Sequence, residues 1–150
     1  MESSMIVIAS DHAGVALKSR IVELVEGLGR GVRDLGPADE SSVDYPDFGH
    51  LLAEAVASGE AGLGILICGT GIGMSMAANR HTGVRAALCQ DAFTAEMARR
   101  HNDANVLCLG ARVIGVGAAE QVVRVFLDSS FEGARHRRRV AKIEIGLEEK

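Results

Sequence analysis

Short apolar runs alternate along this chain with longer segments in which apolar residues recur at helical spacing. The runs predict five strands, at residues 5–9, 32–35, 63–67, 84–88 and 106–109. The helical spacing predicts helices around residues 17–28, 46–59, 71–79, 92–101 and 119–126. The run at 63–67 is apolar at successive positions, as expected for a strand that is covered on both faces. The pattern therefore favours an α/β fold, with a five-stranded parallel sheet between two helical layers in a Rossmann-like, three-layer αβα arrangement.

We expect one domain over residues 1–150, because the length suits a single core and neither a repeat nor a linker interrupts the alternation. The last predicted element, at residues 134–148, is a charged helix. It is too polar to belong to the core. We expect it to extend from the domain and to lie over a neighbouring subunit.

Composition and charge exclude several function classes. The 16 basic and 20 acidic residues give a net charge of −4, and only five residues are aromatic, so the chain has neither the basic field nor the stacking surface of a nucleic-acid-binding protein. Residues 61–79 are uncharged, but five glycines interrupt them, which indicates a buried strand and a turn and no membrane span.

The cysteines indicate a reducing compartment. Cys68, Cys89 and Cys108 are odd in number and far apart, which is not the pattern of a disulfide framework or of a zinc site. The N-terminus has no basic region followed by a long apolar one, so no secretory signal is predicted. We expect a cytoplasmic protein.

Reactive side chains follow several of the predicted elements. In an open α/β sheet, ligands bind beyond the carboxyl ends of the strands. We expect four segments to converge on that edge: Asp11-His12, Cys68 to Gly73, His101-Asn102 and Arg112.

The glycine-rich segment after the third strand is not a dinucleotide or P-loop fingerprint. The dinucleotide spacing would require glycine at Met74 or Met76, and no Gly-Lys-Ser/Thr follows. Glycines at such a turn let backbone N–H groups face an anion at a helix N-terminus, although they also serve a tight turn alone.

Cys68 lies between a buried strand and a helix N-terminus, a position that favours the thiolate form of a cysteine. It is therefore a candidate base or nucleophile, and a plain core cysteine is the alternative. Cys89 and Cys108 are expected to be core residues. His12 and His101 have polar neighbours, Asp11 and Asn102, that could set a tautomer.

A basic run at residues 135–139 is the last signal. Arg135 and Arg139 are four residues apart and share one helical face, so two guanidinium groups could grip one phosphate. A solvated charged face is the alternative.

Taken together, these motifs resemble the type B ribose-5-phosphate isomerases, a family that also includes the subunits of galactose-6-phosphate isomerase. The matching segments cover nearly the whole chain in order: Asp11 to Gly14, Tyr45-Pro46, residues 67–73, residues 100–107, residues 110–115 and residues 131–136. One branch of that family uses a glutamate where this chain has Ser75, so the chain resembles the cysteine branch.

The resemblance implies an aldose–ketose isomerase that interconverts ribose 5-phosphate and ribulose 5-phosphate, as in the non-oxidative pentose phosphate pathway, without a metal or organic cofactor. It implies that Cys68 is the base, that Thr70 assists it and that His101 opens the sugar ring with help from Asp11. It further implies that the substrate is bound by the turn and by polar side chains: Gly69, Gly71, Ile72, Gly73, His12, Asn102, Arg112, Arg135 and Arg139.

The resemblance also implies a homodimer whose two subunits share each site, with a dimer of dimers as a further possibility. An isomerase of allose 6-phosphate, galactose 6-phosphate or a tetrose phosphate would carry the same catalytic groups. A sugar-phosphate-binding regulator would need neither Cys68 nor His101, and nucleic acid and membrane are not expected partners.

Overall fold

The computed structural model describes residues 5–146. Five strands form one sheet: β1 Ile6–Ser10, β2 Val32–Asp34, β3 Leu63–Cys68, β4 Ala86–Leu88 and β5 Val106–Gly110. Six α-helices surround it: α1 Val15–Gly27, α2 Tyr45–Ala57, α3 Ile72–Ala78, α4 Ala92–Arg100, α5 Val116–Asp128 and α6 Arg135–Ala141. A short 3₁₀ turn at His12–Gly14 precedes α1.

All strand pairs are parallel, in the order β2-β1-β3-β5-β4, which confirms the predicted α/β class and the five-stranded parallel sheet. Parallel pairing aligns the strand ends. Ser10 pairs with Ile67 and Cys68 pairs with Gly110, so the segments that leave β1, β3 and β5 begin side by side.

The core has two halves, one on each face of the sheet, because alternate residues of each strand point to opposite faces. Ile65 and Ile67 of β3 face the layer of α1, α4 and α5, where Phe126 is fully buried. Leu66 and Cys68 face the layer of α2 and α3, where Leu52 is fully buried. The side chain of Cys68 is therefore directed toward α2 and α3.

A buried lysine links helix α1 to strand β2 and the loop that follows it. Lys18 of α1 is only 2% exposed, and its Nζ donates to both carboxylate oxygens of Asp34 at 2.7 and 3.0 Å and to the carbonyl of Pro37 at 2.7 Å. Asp34 ends β2, so this ion pair anchors the edge strand to α1.

The C-terminal helix is shorter than predicted. The helix predicted over residues 134–148 ends at Ala141, and turns follow it as far as Gly146, while residues 147 and 148 lie outside the described residues. The Glu144 carboxylate accepts a hydrogen bond from the Gly83 N–H at 2.8 Å, which holds the chain against the loop before β4. One residue of the helix, His136, is buried, although its neighbours are exposed.

Among residues 5–146, no helix has the length and apolar character needed to cross a membrane.

Candidate active site

The candidate site lies where the chain changes direction across the sheet. From β1 the chain first forms β2 on one side and then β3 on the other, which opens a crevice beyond the carboxyl ends of β1 and β3. The Asp11 N–H donates to the Ile67 carbonyl at 3.0 Å, and the Ala111 N–H donates to the Cys68 carbonyl at 2.8 Å. The predicted convergence is therefore correct for three segments, those at Asp11, Cys68 and Arg112.

Cys68 is the last residue of β3 and is 3% exposed. The Gly71 N–H donates to its Sγ at 3.2 Å. The turn that follows β3 therefore places a backbone N–H donor against the sulfur.

Gly71 makes this turn possible. Its φ of 79° is left-handed, and a Cβ at this position would lie 2.5 Å from Leu88 Cδ1 and 3.0 Å from the carbonyl carbon of Leu109. Only glycine fits both the torsion and the space. The Gly71 N–H can therefore reach the sulfur of Cys68.

Only three of the five backbone amides of residues 69–73 are available to bind an anion. The Gly71 N–H is directed at Cys68, and the Ile72 N–H donates to Thr70 Oγ1 at 3.3 Å. The amides of Gly69, Thr70 and Gly73 remain as candidate donors. Since Thr70 Oγ1 accepts from Ile72, the hydroxyl hydrogen of this exposed residue is directed elsewhere.

The segment after β1 differs in one detail from the expectation. Asp11 is buried, and its Oδ1 accepts from the N–H groups of Ala13 at 2.9 Å and Gly14 at 3.2 Å, so it caps the 3₁₀ turn. The tautomer of His12 is set by Val43 and not by Asp11, because the Val43 N–H donates to Nδ1 at 3.2 Å. The His12 proton then lies on Nε2, which can donate to a ligand.

Two side chains border the turn. Arg112 lies over Gly69, where a Cβ would be 3.2 Å from its Nη1. The ring of Tyr45 lies over Gly73 on the other side, where a Cβ would be 2.5 Å from its Cε2. Tyr45 is 41% exposed, and the sequence reasoning did not assign it to the site.

His101 and Asn102 lie at the opposite edge of the sheet, so the expectation that their segment joins the other three within one chain is wrong. They follow α4 and precede β5, and a segment that enters a parallel strand lies at the amino edge. Val106 at the start of β5 pairs with Gly64, whereas Cys68 pairs with Gly110. Four residues of strand separate the two edges by about 13 Å.

His101 belongs to a second polar cluster near α6. Its ring stacks on His136 with centroids 4.2 Å apart and planes 12° apart. Glu132 Oε2 lies 3.4 Å from His136 Nε2 and 3.9 Å from His101 Nε2. Arg135 and Arg139 are exposed on α6, one helical turn apart, so α6 displays two guanidinium groups near this cluster.

The other two cysteines are core residues, as expected. Cys89 is 2% exposed and Cys108 fully buried, and burial raises the pKa of both thiols. Both thiols therefore stay protonated at neutral pH.

A sequence model of the Ribose/Galactose Isomerase family matches residues 6–143. The chain belongs to this family. Both clusters of candidate site residues fall within the matched segment.

Several members of the ribose/galactose isomerase family resemble the chain over nearly their whole length. It is 44% identical over 133 residues to ribose-5-phosphate isomerase B of Escherichia coli, covering 89% of each chain. It is 50% identical to the solved ribose-5-phosphate isomerase B of Clostridium thermocellum, with a TM-score of 0.91 over 93% of this chain and 94% of that one. The type B ribose 5-phosphate isomerase of Trypanosoma brucei is 45% identical, with a TM-score of 0.92 over 95% and 97%.

Proposed function

We propose that this member of the ribose/galactose isomerase family interconverts D-ribose 5-phosphate and D-ribulose 5-phosphate, with Cys68 as the base. The observation that carries the proposal is the position of Cys68: it ends a central strand at the sheet crevice, and the Gly71 N–H donates to its sulfur at 3.2 Å. The relatives named as ribose-5-phosphate isomerases support the choice of substrate.

The reaction moves a proton between two neighbouring carbons of the open-chain sugar. The Cys68 thiolate removes the proton from C2, and the electron pair of that bond forms the C1–C2 double bond of an enediolate, with the negative charge on O1. The thiol then returns the proton to C1 as the hydroxyl proton leaves O2 and O1 is protonated, which produces the ketone at C2.

The charge on O1 needs donors that are already in place. The amides of Gly69, Thr70 and Gly73 lie in the turn that follows Cys68 and are the candidates. One such donor typically contributes about 3 kcal/mol to transition-state stabilisation. The free hydroxyl hydrogen of Thr70 is a further donor that can relay the proton between O2 and O1.

The ring must open before this step, and we assign that to His101 with assistance from Asp11. Because the two lie at opposite edges of the sheet, one chain cannot bring its own His101 to its own Asp11. We therefore propose that the site is completed by a second copy, with His101 of the partner subunit moving the proton from O1 to the ring oxygen. Asn102 of the partner subunit would bind sugar hydroxyls.

The phosphate would be held from both chains. His12 Nε2–H and the Arg112 guanidinium border the crevice from one chain, and we assign Arg135 and Arg139 of the partner subunit to the same phosphate. Guanidinium groups bind phosphate through paired, charge-assisted hydrogen bonds, which suits this role.

The test is conversion of ribose 5-phosphate by the wild type, Cys68→Ala and Cys89→Ala. Cys89 is also a buried free cysteine but lies outside the site, so it controls for the loss of a core thiol. We expect turnover to fall about 10²–10⁴-fold in Cys68→Ala and to stay near wild type in Cys89→Ala. Unchanged turnover in Cys68→Ala would remove Cys68 as the base.

A comparison of kcat/KM for pentose, hexose and tetrose phosphates tests the substrate separately. We expect ribose 5-phosphate to be preferred. A higher kcat/KM for a hexose or tetrose phosphate would keep the chemistry and change the substrate.

A further inference from the structure

The cluster of His101, Glu132 and His136 has the composition of a zinc site. One ligand atom from each residue lies within 4.8 Å of the other two. In a tetrahedral site with bonds of about 2.0–2.2 Å, ligand atoms stand about 3.4 Å apart. Glu132 Oε2 is 3.4 Å from His136 Nε2, which matches this value, and 3.9 Å from His101 Nε2, which is half an ångström longer.

His136 is the second observation that points to a ligand here. It is only 6% exposed, and within residues 5–146 its Nε2 forms no well-aligned hydrogen bond, although Glu132 Oε2 lies 3.4 Å away. A buried nitrogen without a partner is costly, and such atoms are rare in folded proteins.

Arg100 orients the carboxylate. Its Nε donates to Glu132 Oε1 at 2.7 Å, which leaves Oε2 facing the two imidazoles. Partners of this kind commonly fix metal ligands. The positive charge of Arg100 opposes any cation, so the site favours a metal that imidazole binds strongly, such as Zn²⁺, over Mg²⁺ or Ca²⁺.

One ring must turn for all three atoms to reach a single ion, because the stacked rings are nearly parallel. The side chain of His101 is 37% exposed and has room to change its rotamer, whereas that of His136 is 8% exposed and stays in place. A change of rotamer in an exposed side chain is a small cost beside the bonds that zinc forms.

We propose that His101, Glu132 and His136 form a zinc-binding site with three protein ligands and one open position, and that zinc bound there inhibits the enzyme. Inhibition follows because the metal takes the lone pair of His101 that ring opening requires. This consequence rests on the proposed function, whereas the binding itself does not.

Calorimetric titration of the metal-free protein with Zn²⁺ tests the binding, and Co²⁺ absorption reports its geometry. We expect one ion per chain and an affinity that falls at least 10-fold in Glu132→Gln and in His101→Asn. Glu132 and His101 are partly exposed, so these variants should fold, which circular dichroism checks.

Two control variants keep the test specific. His81→Ala removes one member of the other histidine pair, in which His50 Nδ1 lies 2.7 Å from His81 Nε2. Cys68→Ala removes the thiol of the candidate active site, which is a soft ligand that could also bind zinc. Both should bind zinc like the wild type. The site is refuted if the wild type binds no zinc at about 1 mM, if Glu132→Gln keeps the affinity, or if either control loses it.

Inhibition is measured on the wild-type protein used for the titration. We expect turnover to fall as zinc fills the calorimetric site and to recover when a chelator removes it. If zinc binds without loss of turnover, the proposed inhibition is wrong and the proposed metal site is still supported. An absence of isomerase activity at any zinc concentration would overturn the proposed function and leave the binding result unaffected.

Discussion

Replacement of Gly71 by alanine should destabilise the protein through two separable effects. A left-handed φ of 79° costs a non-glycine residue about 1–2 kcal/mol. The new Cβ would also lie 2.5 Å from Leu88 Cδ1 and 3.0 Å from the Leu109 carbonyl carbon, and backbone cannot yield as a flexible side chain can. Overpacking of this kind adds about 1–3 kcal/mol. We expect a total loss of about 2–5 kcal/mol in the free energy of unfolding.

Gly59→Ala is the matched control. Gly59 has a similar φ of 81°, but nothing lies within 4 Å of the point where a Cβ would stand, so it should lose only the torsional part, about 1–2 kcal/mol. Urea unfolding of the two variants measures the difference. Turnover should fall in Gly71→Ala alone, because the displaced turn moves the N–H that faces Cys68. Equal destabilisation of the two variants would refute the steric argument.

Three further predictions concern the phosphate site, the buried ion pair and the buried histidine. Arg139→Ala should raise KM for ribose 5-phosphate about 10-fold or more with little change in kcat, whereas Arg138→Ala should change neither; steady-state kinetics would contradict the role if kcat fell instead. Asp34→Ala should lower the free energy of unfolding by about 2–4 kcal/mol, because it removes the carboxylate that pairs with the buried ammonium of Lys18. Lys18→Met should lower it by only about 1 kcal/mol, because the carboxylate that loses its partner is 43% exposed. Urea unfolding measures both values, and the reverse order would contradict this explanation. Burial lowers the pKa of His136 below its ordinary value of 6.5, so the unfolded chain takes up a proton that the folded protein resists. The stability due to the neutral ring should be full above about pH 6.5 and fall as the pH drops through the lowered pKa; unfolding from pH 7.5 to 5 should show a shallower dependence in His136→Gln, and identical slopes would count against it.

The sheet could be predicted because its strands are short apolar runs between glycine-rich turns. The run at 63–67 became β3, and the predicted ends of the strands differ from the observed ones by two residues at most. Apolar periodicity reports burial, and burial decides where a parallel strand lies. The same logic placed Cys68 at the carboxyl edge.

The prediction that His101 lies at the carboxyl edge is wrong because its segment follows helix α4 and not a strand. A segment between a helix and the next strand enters the sheet at the amino edge. The predicted helix at residues 92–101 and strand at 106–109 already imply that His101 lies at the amino edge of the sheet.

Other features have no local signal in the sequence. A lysine in a helical pattern indicates an exposed face, yet Lys18 is buried because Asp34 and the Pro37 carbonyl meet it from another segment. The contact of His12 with Val43 and that of His101 with Glu132 each join residues 31 positions apart. Such contacts depend on tertiary packing, which periodicity does not encode.

The most direct test of a site built from two chains is complementation between two inactive variants. Cys68→Ala and His101→Ala are purified separately, unfolded and refolded together, and assayed for conversion of ribose 5-phosphate. In a mixed dimer, one of the two sites combines an intact Cys68 with an intact His101. Random mixing makes about half of the dimers mixed, so we expect about a quarter of wild-type activity from a mixture of two variants that are each inactive alone. Activity no higher than that of the separate variants, with mixed dimers demonstrated by mass spectrometry, would contradict the shared site.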